Sequence, residues 1–161
     1  MGPEVPIRIA GPSDSEAVVA LIAAFRDYLD RSTPAEEGIE KTVSALLADP
    51  GTEFLLAGEP EVGLAQVRYR PSVWTGTEDA WLEDVFVLEG ARGEGVGRLL
   101  TEAAVRQAGK RGGGRIQLES NAANEAAIKL YESIGFRASH LPDRWGETPD
   151  ICMTLEIDPT G

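Results

Sequence analysis

The stretch VFVLEGARGEGVGRLL, residues 85–100, constrains the fold more than any other part of this chain. An apolar run reads as a strand. Gly93, Gly95 and Gly97 then alternate through a loop, and a helical pattern follows at once. A later apolar stretch, RIQLES (115–120), completes a strand–helix–strand unit, which predicts a parallel strand pair with a right-handed crossover. The glycines free the backbone for unusual dihedrals and for close approach of a ligand. The helix start brings unpaired N–H groups and the positive end of the helix dipole. Strand, glycine loop and helix start together make an anion site, most often for phosphate. Arg92 and Arg98 add positive charge, whereas Glu94 opposes it and is expected to face solvent.

Two common phosphate loops do not fit. A Walker loop needs a lysine followed by serine or threonine, and neither pair occurs in this loop. The dinucleotide fingerprint G-x-G-x-x-G fails because Gly97, not Arg98, carries the third glycine. On these residues alone, a glycine-rich turn without a ligand remains the alternative.

The remaining pattern places the loop in a larger order. IRIA (7–10) reads as a strand. A helix follows, capped by Ser13 or Asp14, with Val18, Leu21, Ile22 and Phe25 at helical spacing. A second helix is expected in STPAEEGIEKTVSALLADPG, with Ser32 or Thr33 as cap, Pro34 in the first turn and Pro50-Gly51 as stop. EFLLAGE and VGLAQVRYRP read as strands joined near Gly58–Glu61, and AWLEDVFVLEG as the next strand. NEAAIKLYESIGF reads as a helix stopped by Gly135, with FRASH and DICMTLEI as closing strands. The predicted order is β-α-α-β-β-β-α-β-α-β-β. It implies an α/β fold with a mixed sheet: antiparallel N-terminal strands, a parallel β-α-β core, and helices on both faces, in one domain over residues 1–161.

Charge narrows the function. Fifteen Lys and Arg stand against 27 Asp and Glu, a net charge of −12. Such a field repels phosphate backbones and anionic membranes, so neither nucleic acid nor membrane is an expected partner. The acidity is uneven. Arg92, Arg98, Arg106, Lys110, Arg111 and Arg115 cluster within residues 91–115, beginning at the glycine loop. A lone cysteine, Cys152, excludes an internal disulfide and reads as a small core residue. MGPEVP shows no signal pattern, and the longest apolar run, Ala17–Phe25, is far short of the ~20 residues a span needs. A soluble cytoplasmic protein is expected.

R-x-x-G-x-G (Arg92, Gly95, Gly97) after LEDVFV resembles the coenzyme A loop of the GNAT superfamily of N-acetyltransferases. NEAAIKLYESIGF (124–136) is similar to that family's second conserved helix, with an Asn, a Tyr seven residues later and a Gly-Phe exit. Element order extends the likeness over nearly the whole chain. The resemblance implies acetyl-CoA as co-substrate, with no metal. Residues Arg92, Gly93, Glu94, Gly95, Val96, Gly97 and Arg98 would hold its pyrophosphate. Val85, Phe86 and Val87 would lend backbone groups to the pantetheine arm. Asn124 would lie near the coenzyme, and Tyr131 near its sulfur.

Acetyl transfer to an amine needs a base, a polarised carbonyl and a stabilised thiolate. Tyr131 is the candidate acid, set against a plain core tyrosine. Glu83 and Asp84 are the candidate bases, pointing to opposite faces of their strand, set against partly solvated residues near a bulge. LEDVFV resembles the strand of the diamine acetyltransferase branch, which implies Glu83 as base and Asp84 as a holder of the cationic amine. His140 stands alone and is expected to be structural rather than metal-binding. Trp74 and Trp145 are candidates for an acceptor pocket or a homodimer contact, with ordinary packing as the alternative. The readings are thus an N-acetyltransferase acting on a small amine, a non-catalytic acyl-CoA sensor of the same fold, or a structural domain acting through its acidic surface.

Overall fold

The computed structural model describes residues 4–139 and 150–158. The chain runs β1 (Ile7–Ile9), α1 (Ser15–Tyr28), α2 (Glu36–Ala48), β2 (Thr52–Ala57), β3 (Gly63–Pro71), β4 (Glu78–Val87), α3 (Val96–Lys110), β5 (Arg115–Asn121), α4 (Glu125–Ile134), β6 (Arg137–Ser139) and β7 (Asp150–Glu156). Short 3-10 turns precede α1 and follow β4. This is the order that the hydrophobic periodicities predict. The strands form one mixed sheet, β1-β2-β3-β4-β5-β7-β6. Its first two pairs, β1–β2 and β2–β3, are antiparallel; β4–β5 is parallel; β5–β7 and β6–β7 are antiparallel.

The described chain gathers into two compact units. The first takes the chain up to Arg68 together with Asp84–Ala104. Its core sets Val18, Val19 and Leu21 of α1 and Ile39 and Val43 of α2 against Phe54, Leu56 and Leu64. Full burial of one such side chain is worth about 1.5–3 kcal/mol. Leu56 and Leu64 are cross-strand partners, so the neighbouring pair, Ala57 and Gly63, turns to the opposite face. There α3 approaches closely. A Cβ on Gly63 would lie 3.1 Å from Leu100 Cδ1 and 3.2 Å from Val96 Cγ1. Helices therefore cover both faces of this part of the sheet, as expected.

The second unit takes Tyr69–Glu83 and the chain from Val105 onward. β5 pairs with β7 along all seven of its residues, and Leu118 and Met153 are buried partners in that ladder. Asp79 of β4 is almost fully buried, at 3% exposure. Its carboxylate accepts from Thr75 Oγ1 at 2.6 Å, Thr77 Oγ1 at 3.3 Å and Arg115 Nε at 2.6 Å. Burial alone would raise its pKa, but the hydrogen bonds from Thr75 and Arg115 outweigh burial and hold it below the usual range. The Gly114 amide donates to Thr77 Oγ1 at 2.9 Å, tying the same hairpin to the entry of β5.

Four local expectations are corrected. Neither Ser32 nor Thr33 caps α2, and Pro34 lies outside it: the helix begins at Glu36 with Ala35 as N-cap. The Pro34 carbonyl instead accepts from Arg26 Nη1 at 2.9 Å, which holds this segment ahead of the helix. Asp14 stands at the N-cap of α1 without capping it. Its carboxylate takes both Arg8 Nη groups at 2.8 Å, and the resulting ion pair holds its pKa down at about 2. Cys152 is half-buried beside Gln117 rather than in the core. Trp74 is 91% exposed at the hairpin tip, which excludes ordinary packing. His140 and Trp145 lie outside the described residues.

Removing one side of a buried charge pair strands the other. Asp79→Ala should therefore lower unfolding stability by about 3 kcal/mol, the low end of that range because Arg115 is partly exposed. Urea unfolding measures it; a loss under about 1 kcal/mol would show that the network is not stabilising.

Candidate active site

The glycine loop belongs to the first unit. Its entry is fixed by the Leu88 amide, which donates to the Val62 carbonyl at 2.8 Å. In a pleated strand the N–H and C=O of Leu88 and Phe86 thus turn toward β3, and those of Val85 and Val87 toward the other edge. The Val87 carbonyl is already engaged, accepting from Arg92 Nε at 2.9 Å. Gly93 and Gly95 then adopt φ of 81° and 82°, in the left-handed region that other residues avoid. A Cβ on either would meet nothing within 4 Å, so the space over the loop is open.

The Leu99 amide makes the first helical bond, to the Gly95 carbonyl at 3.1 Å. The amides of Val96, Gly97 and Arg98 stand ahead of it, at the positive end of α3. The first turn of α3 holds no acidic residue. Thr101 donates its hydroxyl back to the Gly97 carbonyl at 2.8 Å. Glu94 is exposed, as expected. Arg98 is paired with Glu102 at 2.7 Å, which reduces the charge it offers an anion. The side chains of Phe86 and Val96 are buried, so only their backbone groups are accessible to a ligand.

An aromatic cluster adjoins the loop. Phe25 of α1 stacks on Phe86 with centroids 4.8 Å apart, and Tyr28 lies 6.1 Å from the same ring. The Arg92 guanidinium sits 4.1 Å over Tyr28 and 5.6 Å from Phe86. Sequence reasoning missed Tyr28. The available signal was its i+3 spacing from Phe25 on one helix face, but nothing in that spacing names Arg92 as the partner.

Tyr131 belongs to the second unit, on α4. Its ring meets Phe136 edge-on at 5.9 Å, and burial pushes its phenol pKa up. Asn124 is the N-cap of the same helix, its Oδ1 accepting from the Ala127 amide at 3.3 Å. Glu83 is exposed and Asp84 half-buried. Strand alternation sends them to opposite faces, with Asp84 sharing the face of Phe86. The structure thus gathers Val87, Arg92 and the loop amides, and places Asn124 and Tyr131 on one helix. It does not pair the two carboxylates. Among the described residues no cluster of His, Cys, Asp or Glu could hold a metal, and no helix is long and apolar enough to cross a membrane.

The model of the acetyltransferase (GNAT) family matches residues 19–136. Streptothricin acetyltransferase of Streptomyces lavendulae is 33% identical over 117 residues, covering 72% of this chain and 57% of the relative. The YhfO N-acetyltransferase of Bacillus subtilis is 30% identical over 132 residues, covering 81% of this chain and 88% of the relative. The chain spans 57% of the length of the first curated relatives it matches. Among solved structures, one from Arthrobacter sp. FB24, assigned as an acetyltransferase, superposes with a TM-score of 0.79 at 30% identity, covering 90% of this chain and 92% of that one. A protein from Salmonella typhimurium assigned as an acetyltransferase, and solved with acetyl-CoA, shares the fold with a TM-score of 0.73 at 20% identity, covering 97% and 95%.

Backbone strain separates the loop glycines. Gly95→Ala should cost about 1–2 kcal/mol because of its left-handed φ. Gly97→Ala has no such strain, and its Cβ would make only an ordinary contact, 3.9 Å from Val87 Cγ2. Its loop penalty should be near zero in the same denaturation experiment. Equal losses would contradict the loop conformation described.

Proposed function

This chain belongs to the acetyltransferase (GNAT) family, and we propose that it transfers the acetyl group of acetyl-CoA directly to a primary amine. The observation that carries the reading is the loop itself: open space above left-handed Gly93 and Gly95, with the positive end of α3 behind them. Those amides would receive the pyrophosphate, as helix starts do for phosphates generally. The outward edge of β4 at Val85 and Val87 would take the pantetheine arm. The capping role of Asn124 supports a structural part for it, organising the start of the helix that carries Tyr131.

The chemistry sets two demands. A primary amine near pKa 10.4 is neutral in about one molecule in 2,500 at pH 7, a cost of about 4.6 kcal/mol. Glu83, exposed on β4, would take that proton as general base. The amine nitrogen then attacks the thioester carbonyl, the C–S bond breaks, and the thiolate leaves; the second N–H proton, shed as the amide forms, neutralises that thiolate to the free thiol. Tyr131 would face that sulfur. Its raised pKa keeps the phenol protonated at neutral pH, so that it can donate to the developing thiolate.

Tyr131→Phe removes that donor alone. Turnover should fall by about 10²-fold, while acetyl-CoA affinity by calorimetry stays near wild type. Gly97→Glu should do the reverse, abolishing affinity through charge and bulk over the loop in a protein that remains folded. Wild-type turnover in the first variant would return Tyr131 to a packing role. Wild-type affinity in the second would remove the loop from the coenzyme site.

For the acceptor we propose a small cationic amine of the diamine type. Support comes from the net charge of −12, which concentrates cations, and from Asp84, a second carboxylate beside Glu83 in sequence. Salt should then lower kcat/KM, since screening acts within about 8 Å at physiological ionic strength. Asp84→Asn should raise the acceptor KM by about tenfold, the worth of a hydrogen bond to a charged group, without weakening acetyl-CoA. Efficient acetylation of a neutral or acidic amino compound, with diamines inert, would defeat this assignment.

A further inference from the structure

We propose that Tyr28 is a positioning residue for the glycine loop and that it acts through Arg92. The effect on coenzyme affinity rests on the acetyl-CoA reading above; the effect on the loop does not. Tyr28 ends α1 and is 62% exposed, a costly place for an aromatic residue that the core does not require. Its ring carries the Arg92 guanidinium at 4.1 Å, a cation–π contact. Phe86 backs the arrangement from below: it is buried, stacked on Phe25, and 5.6 Å from the same guanidinium.

The second restraint on Arg92 is the Nε–H donated to the Val87 carbonyl at 2.9 Å. Together the two contacts close a short ring of chain. Val87 ends β4, the turn Glu89–Ala91 follows, and the Arg92 side chain returns to the strand end. Without them a long exposed arginine would sample many rotamers. With them the Arg92 backbone is anchored immediately before Gly93, the first left-handed residue of the loop. The planar fork is essential: a lysine keeps the charge but has neither the Nε–H nor a flat face to lay on a ring. Arg92 is thus a staple for loop shape, and its charge alone does not reproduce that service.

The test uses the intact chain and four proteins: wild type, Tyr28→Ala, Tyr28→Phe and Arg92→Lys. Tyr28 is mostly exposed, so its variants should remain folded, which far-UV circular dichroism checks. Amide hydrogen exchange over residues 88–98 of the free protein should speed by about fivefold in Tyr28→Ala and in Arg92→Lys, the scale of one cation–π contact. It should stay at the wild-type rate in Tyr28→Phe, which keeps the ring. Acetyl-CoA affinity should weaken by about fivefold in the same two variants and be rescued in Tyr28→Phe. Tyr28→Ala should raise the acetyl-CoA KM while leaving kcat at saturation unchanged. Wild-type exchange in Tyr28→Ala would overturn the proposal, as would wild-type exchange and affinity in Arg92→Lys. Faster exchange in a series whose wild type fails to bind acetyl-CoA would instead refute the coenzyme reading and leave the positioning role standing.

Discussion

Position 63 has no side chain, and the placement of the glycine loop follows from that. A Cβ there would press on Leu100, on Val96 and, at 3.2 Å, on the Phe86 carbonyl. Those are the first turns of α3 and the end of β4, the two elements that the loop joins. Protein interiors are packed too tightly to absorb such overlaps by compression. A Cβ at these distances requires Leu100, Val96 or the Phe86 carbonyl to give by a few tenths of an ångström, so a residue larger than glycine works against the seating of α3 and of the amides at its start. The proposed anion site is therefore built in two layers. Glycines with positive φ shape its surface, and a glycine beneath sets how deep the helix start sits.

The two ends of β4 are organised by different physics. At its start, Asp79 is held by hydroxyls and a guanidinium in a nearly solvent-free setting, where each lost partner is expensive. At its end, the strand is held by the Leu88–Val62 hydrogen bond, by Arg92 on the Val87 carbonyl and by a cation–π contact. The hairpin network at Asp79 holds its strand ends in place but leaves Val73 and Trp74 in water, at 94% and 91% exposure.

Sequence periodicity carried the element order, the parallel pair and the loop, because each is a property of neighbouring residues. The 3.6 and 2.0 periods separate helices from strands without any tertiary knowledge. What escaped is what depends on contacts across the chain. Asp79 lies in an acidic, threonine-rich turn that reads as solvated, yet Arg115, 36 residues later, makes it a core group. Asp14 has every attribute of a helix cap, but Arg8 competes for its carboxylate and wins with two charge-assisted bonds at 2.8 Å. Asn124 matched a family motif and turned out to carry a local task as well, capping α4. Tyr28 carries no motif at all. The glycines were legible for the opposite reason: their effect is on their own backbone.

Under the proposed mechanism the two proton transfers are unequal, and this orders the importance of the candidate groups. An ordinary phenol, at about 10, is a weaker acid than a thiol, at about 8.5, by roughly 1.5 units. Burial of Tyr131 widens that gap. Complete transfer of its proton to the leaving thiolate is thus uphill, and its contribution is a hydrogen bond aimed at developing charge, an interaction that strengthens in a dry site. The leaving group needs no more than that, because a thiolate is already a tolerable anion. The amine is different: it must give up a proton at a cost of about 4.6 kcal/mol at neutral pH before it can attack. The greater demand therefore falls on the carboxylates of β4. Of the two, Glu83 is the one in solvent contact, while Asp84 lies half-buried on the opposite face, and under the proposed mechanism the proton goes to the first.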